Sequence, residues 1–173
     1  MTGQVLVAYG TKNGSTAQIA QAIAEVLTER GMTADARAAG EVADIAPYTA
    51  VILGGALYTG RWHPDARRFA ARHRKALAER PVWLFSSGPL DASASEREIP
   101  PVAGVRRLMV RLDAREHVTF GGRLEKGAKG RVARMIVDSG RGGDFRDFAR
   151  IRAWAAGVAD ALVTEEKAGE VRG

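Results

Sequence analysis

The 173-residue chain contains no cysteine, which excludes disulfides, thiolate nucleophiles and thiolate-bound zinc or iron–sulfur clusters. Histidine is nearly as scarce: only His63, His73 and His117 are present, too few for a histidine-rich metal cage. No apolar run reaches the ~20 residues that a membrane-crossing helix needs. The start, Met1-Thr2-Gly3-Gln4, has neither a charged leader region nor a long apolar one. A cytoplasmic protein is the expectation. A hydrophobic share of 46% with 27% charged residues is ordinary for a folded domain and argues against disorder. The length suits a single core.

Charge of one sign is in excess and unevenly placed. The chain has 26 basic and 20 acidic side chains, a net +6. Residues 1–60 carry 3 basic and 5 acidic groups, residues 61–152 carry 21 and 11, and residues 153–173 carry 2 and 4. The basic surface therefore belongs to the middle and later chain. Nucleic acid, an anionic membrane surface and an acidic ligand all fit that sign. Nucleic acid is not expected, because no recognised binding motif or aromatic-basic strand platform accompanies the charge.

Strand-like runs alternate with helical patterns. Gln4–Tyr9 is a short apolar strand, followed by Ile19, Ala20, Ile23, Ala24 and Leu27 at helical spacing. Gly31 stops that helix. Thr33–Ala38 alternates weakly as a second strand, and Ala50–Gly54 is a buried-type third strand. Pro64 opens a helix whose apolar side includes Ala66, Phe69, Ala70, His73 and Leu77. A fourth strand at Pro81–Phe85, a basic helix at Val102–Leu112, a fifth strand at His117–Phe120 and a last helix at Phe145–Val163 complete the order. Such alternation indicates a parallel sheet covered on both faces. A single domain over 1–163 is expected, with a basic, Gly-punctuated insertion at about 121–143 and a frayed tail over 164–173.

In an open parallel sheet, ligands bind beyond the carboxyl ends of the strands. Three strand ends carry unusual loops. After the first strand, Thr11, Lys12, Asn13, Gly14, Ser15 and Thr16 lead straight into a helix. Hydroxyls and free backbone N–H groups at a helix start make an anion site suited to one terminal phosphate. The plainer reading is that Ser15 or Thr16 caps the helix. The loop is neither G-x-G-x-x-G nor G-x-x-x-x-G-K-[ST], so dinucleotide and nucleoside-triphosphate readings lose support. After the third strand, Ala56, Leu57, Tyr58, Thr59, Gly60 and Trp62 follow two glycines. Tyr58 and Trp62 offer flat faces for a ring system, although Trp62 could equally pack beneath its own helix. After the fourth strand, Ser86, Ser87, Gly88, Pro89 and Leu90 form an amide-rich turn. A serine nucleophile is disfavoured there, because G-x-S-x-G would need glycine where Leu84 or Phe85 stands.

A phosphate loop, an aromatic glycine-rich loop and an amide-rich turn make the constellation of a flavin mononucleotide (FMN) site. Through Val5–Thr16 the chain resembles the flavodoxin family. More narrowly, through Gly54–Trp62, Trp83–Pro89, Phe120–Leu124, Gly143–Asp147, Ile151 and Trp154, it resembles the flavodoxin-type, menaquinone-dependent protoporphyrinogen IX oxidase group. The resemblance implies an α/β, flavodoxin-like, doubly wound sandwich with a five-stranded parallel sheet in the order 2-1-3-4-5. It implies that Thr11–Thr16 hold the FMN phosphate, that the Ala56–Trp62 loop flanks the isoalloxazine, and that Ser86–Leu90 meet the ribityl chain or pyrimidine edge. No catalytic side chain and no metal are expected, since the redox chemistry belongs to the cofactor.

The expected function is an oxidoreductase moving electrons between a planar or quinol-like substrate, such as protoporphyrinogen IX, and a quinone or other acceptor. A plain electron carrier and a deazaflavin-binding variant are the alternatives. Arg61, Arg67 and Arg123 would attract substrate carboxylates, although surface arginines on solvated faces are the plainer reading. Expected partners are a small redox substrate or quinone; a peripheral contact with an anionic membrane at its inner face and a homodimer are left open. The membrane contact would use the basic amphipathic stretch Gly127–Val137, which keeps only a thin apolar stripe.

Overall fold

The computed structural model describes residues 3–11, 14–88, 93, 97–124, 143–144 and 146–172. Its first strand, β1 (Gln4–Gly10), alternates Val5 and Val7 toward one face of the sheet and Leu6 and Ala8 toward the other. All four are buried, which is the signature of a central strand with helices on both sides. Helix α1 (Ser15–Glu29) returns the chain to β2 (Thr33–Ala38). It ends in a Schellman pair: Gly31 N–H donates to Thr28 O at 3.0 Å and Met32 N–H to Leu27 O at 3.0 Å. Gly31 has φ 87°, and this left-handed backbone explains why glycine ends the helix.

A 3-10 turn at Ala39–Glu41 leads toward β3 (Ala50–Tyr58), which pairs through two further residues with β4 (Arg61–Trp62). Helices α2 (Pro64–Arg72) and α3 (Arg74–Ala78) precede β5 (Val82–Ser87). Then come α4 (Ala103–Leu112) and β6 (Glu116–Phe120). The two-residue strands β7 (Arg123–Leu124) and β8 (Gly143–Asp144) pair antiparallel, and α5 (Phe148–Arg172) closes the chain.

The sheet order is β2-β1-β3-β5-β6, all parallel, with β4 paired only to the end of β3. Leaving the short β4 aside, this is the expected five-strand order 2-1-3-4-5. One core lies between the sheet and helices α1 and α5, with Ile19, Ile23, Leu27, Phe85, Phe120 and Ile151 at its centre. The other lies under α2, α3 and α4, around Leu53, Trp62, Phe69, Leu77 and Leu84. Each fully buried side chain of this size contributes about 1.5–3 kcal/mol from removal of apolar area from water.

Four sequence expectations change. The third strand runs to Tyr58 rather than Gly54, because Leu57 and Tyr58 pair in register with Trp62 and Arg61. The fourth strand runs to Ser87, so Ser86 and Ser87 are strand residues rather than a turn. The helix opened by Pro64 is two helices, broken at His73, whose backbone (φ −104°, ψ 16°) leaves helical geometry. The last helix continues past Val163 to Arg172. Thr164 Oγ1 donates to Asp160 O at 3.0 Å, and Glu165 accepts from Arg115 Nε at 2.8 Å, so the added turns find partners. Lys12, Asn13, Pro89, Leu90, the stretch 127–137 and the side chain of Arg123 lie outside the described residues.

Candidate functional site

The chain leaves β1 outward to β2 and returns on the other side as β3, so the strand order reverses between β1 and β3. The crevice at their carboxyl ends is where an open α/β sheet takes a ligand. The loops after β1, β3, β5 and β6 converge there.

At the end of β1, Gly10 lies against α2: a Cβ at this position would come within 2.8 Å of the Ala66 backbone N. Gly14 stands at the N-cap of α1 in the left-handed region, with φ 83°. Its N–H donates to Thr11 Oγ1 at 3.2 Å, closing a compact turn. The helix has no side-chain cap and no acidic residue in its first turn, so its start keeps an unopposed positive dipole end. Ser15 and Thr16 are both buried, and the Thr16 hydroxyl, at 0% residue exposure, has no hydrogen-bond partner among the described residues. A capping role is thereby excluded for Thr16. A buried, unpaired hydroxyl costs about 1–3 kcal/mol, and an acceptor at the loop would remove that cost. Arg146 adds a positive charge beside it: its Nη1 donates to Ser15 O at 3.3 Å and to Gln18 Oε1, and its guanidinium lies 5.0 Å over the Phe148 ring.

The second wall is the β3–β4 hairpin. Thr59 and Gly60 both have positive φ, 50° and 76°, as a two-residue type I′ turn requires. Thr59 and Gly60 are exposed and Tyr58 half-buried. Neither turn amide is hydrogen-bonded among the described residues. Tyr58 meets His63 edge-on, ring centroids 6.2 Å apart. His63 in turn caps α2 through Nδ1, which accepts from Asp65 N–H at 3.1 Å, with Pro64 in the first helical position. Trp62 belongs to the core at 2% exposure. Of the two aromatic residues expected to face a ring ligand, only Tyr58 is placed to do so. The preceding glycines also serve packing: a Cβ on Gly54 would sit 1.9 Å from Phe85 Cζ, and one on Gly55 would sit 2.7 Å from Trp62 Cγ. Ala56 is buried and Leu57 half-buried behind the turn.

The third wall is the end of β5. Ser86 and Ser87 are 1% and 3% exposed. Ser86 Oγ accepts from Trp62 Nε1 at 2.8 Å and lies 2.8 Å from His117 Nε2. With Trp62 donating, the single Ser86 O–H is free to bond an unprotonated Nε2. Burial pushes the His117 imidazole down to about 4, so it is neutral at neutral pH. This buried chain ties the hairpin to β5 and β6 and occupies the hydroxyl expected to meet a ligand. Gly88 N–H donates to Phe120 O at 3.0 Å, so that amide too is used internally. A Cβ on Gly122 would come within 3.2 Å of Gly88 O, which brings the loop after β6 against this wall. Arg150 braces it from α5, donating to Thr119 O at 2.7 Å with its guanidinium 5.5 Å from the Phe120 ring centroid.

Sequence reasoning missed Arg146 and the Trp62–Ser86–His117 chain, because both join segments far apart in the chain. The Thr59-Gly60 turn was in principle legible, as an X-Gly pair between strand residues. Among the described residues no cluster of His, Asp and Glu could hold a metal, and no helix is long and apolar enough to cross a membrane.

Among solved structures, the chain is similar to rubredoxin:oxygen oxidoreductase of the anaerobe Desulfovibrio gigas, at 14% identity and a TM-score of 0.64, over 94% of this chain and 37% of that one. It therefore spans little more than a third of that protein. An archaeal flavodoxin matches at 10% identity and a TM-score of 0.60, over 92% of this chain and 98% of its own. Oxidised flavodoxin 2 from Bacillus cereus matches at 18% and 0.58, over 94% and 99%. These likenesses share the fold. No curated protein sequence matches the chain.

A family model described as a flavodoxin domain matches residues 6–139. FMN is the cofactor this family implies, and the residues present fit it: an orphaned buried Thr16 hydroxyl at an uncapped helix start, a nearby arginine, and a half-buried tyrosine on an exposed turn. By its sequence match and its sheet order, the chain belongs to the flavodoxin-domain family.

Proposed function

We propose that the domain is a flavin-dependent oxidoreductase that moves electrons between a planar or quinol-like substrate and a quinone or other acceptor. The observation that carries this reading is the charge on the hairpin. Arg61 stands opposite Tyr58 in the β3–β4 register, and Arg67 follows on α2. A cationic rim beside the ring wall suits a small anionic or electron-rich molecule, whereas a carrier that docks on basic proteins needs acidic groups there.

Bound FMN supplies the redox chemistry, and the protein supplies position and electrostatics. Thr16 Oγ1 and the free amides at the start of α1 hold the phosphate, with Arg146 offsetting its charge. Tyr58 and the turn of Thr59 and Gly60 flank the ring. The Ser86–His117 pair holds the wall behind them, with the imidazole neutral at neutral pH. Protoporphyrinogen IX is one substrate of the required shape, suggested by the motif resemblance.

The alternative, a non-catalytic electron carrier, is separated by one experiment. The FMN-loaded chain is mixed anaerobically with protoporphyrinogen IX or a naphthoquinol, and bleaching of the flavin band is followed. Direct bleaching within seconds to minutes supports the oxidoreductase. Bleaching only when a reductase protein is added establishes the carrier instead.

A further inference from the structure

A cavity of about 340 Å³ lies between the β3–β4 turn and the start of α4. Arg61, Arg67 and Arg107 line it together with Trp62, Val102 and Leu108, and among the described residues no acidic side chain does. The three arginines come from three elements, so their convergence is a product of the fold rather than of a local charge run. Arg67 Nε donates to Trp62 O at 3.1 Å, which orients its guanidinium and leaves the terminal nitrogens available. Arg61 and Arg107 have no hydrogen bond or ion pair among the described residues. Like charges gathered around one hollow repel, and an anion relieves that cost. The start of α4 adds to the field: Val102 provides no side-chain cap, and the first turn contains no acid. The apolar lining from Val102 and Leu108 excludes a bare inorganic ion as the best occupant and favours a ring or chain body.

We propose that this cavity binds a compact ring compound carrying a carboxylate, sulfonate or phosphate, with its anionic group on the guanidinium groups of Arg61, Arg67 and Arg107. The volume suits one or two fused rings. That the anion is the redox substrate rests on the reading given under Proposed function; the binding site itself does not.

The test uses two probes of similar size, anionic 1,4-naphthoquinone-2-sulfonate and neutral 2-methyl-1,4-naphthoquinone, with the full chain and calorimetric detection. The sulfonate is expected to bind at least about tenfold more tightly, the worth of one charge-assisted hydrogen bond. The double variant Arg61→Gln, Arg107→Gln should abolish that preference, whereas Arg72→Gln, Arg74→Gln, which removes equal charge elsewhere, should leave it within about twofold. Thermal melting confirms that both variants fold. Equal affinity for the two probes, or equal losses in the two variants, overturns the site. Flavin content is read separately from the visible spectrum. A chain that fails to bind added FMN yet still shows the arginine-dependent preference removes the redox reading and keeps the anion site; an FMN-binding chain without the preference does the reverse.

Discussion

Thr16 is the residue at which stability and binding pull in opposite directions. Its hydroxyl is buried without a partner, so replacing it with the isosteric valine removes a desolvation cost. Thr16→Val should raise the stability of the flavin-free protein by about 1 kcal/mol and weaken FMN binding by about 1–3 kcal/mol. Denaturant unfolding and FMN titration on one variant check both signs. His117 supplies a pH dependence. Burial lowers its folded value from 6.5 to about 4, so between those values the unfolded chain binds a proton that the native chain does not. Its contribution is complete above pH 6.5, falls as the pH drops toward 4, and is constant below that. Between pH 7.5 and 5 it accounts for a loss of about 2 kcal/mol. Burial also lowers His73, followed by its neighbour Arg72, and so His73 acts in the same direction. The comparison with His117→Gln isolates His117: unfolding curves of that variant should lose correspondingly less over this interval, and equal losses would remove His117 from the account.

At the scale of elements, the hairpin is the part of the site that local conformation limits. Thr59 is β-branched and sits at φ 50°, where asparagine or glycine is favoured. Thr59→Asn should stabilise the fold by about 0.5–1 kcal/mol, measurable as a higher denaturation midpoint. Gly54→Ala should act the other way, by about 1–3 kcal/mol or more, because the added carbon meets the Phe85 ring at 1.9 Å. The glycines of this segment therefore mark packed rings rather than a bare surface for a ligand, a distinction that their spacing does not express. The alternation of strands and helices was legible because each buried strand is continuously apolar and each helix repeats its apolar face. Strand ends were less legible: Ser86 and Ser87 pair across the sheet with Gly55, Ala56, Thr119 and Phe120, far away in sequence, whereas Leu57 and Tyr58 extend β3 only through a short local hairpin with Trp62 and Arg61. The phosphate loop was readable because its donors are contiguous. Arg146 joins it across 131 residues, which no local pattern signals.

For the whole molecule, the fold sorts the net +6 into two kinds of arginine. Arg80 donates to Ile45 O at 2.7 Å and Tyr48 O at 2.6 Å, Arg150 braces β6, and Arg152 pairs with Glu29 at 2.9 Å. These hold elements together. Arg61 and Arg107 instead surround a cavity on the α4 side of the hairpin. The basic excess is thus partly scaffold and partly a cationic rim beside the proposed ring wall, with the phosphate loop supplied by the nearly neutral first third. The division of labour depends on FMN occupying that loop. Titrating the flavin-free chain with FMN and with riboflavin, following flavin fluorescence, tests it most directly. One FMN per chain, with riboflavin at least about tenfold weaker because it lacks the phosphate that Thr16 and the α1 amides receive, is the predicted result; equal affinity for the two, or binding of neither, would contradict it.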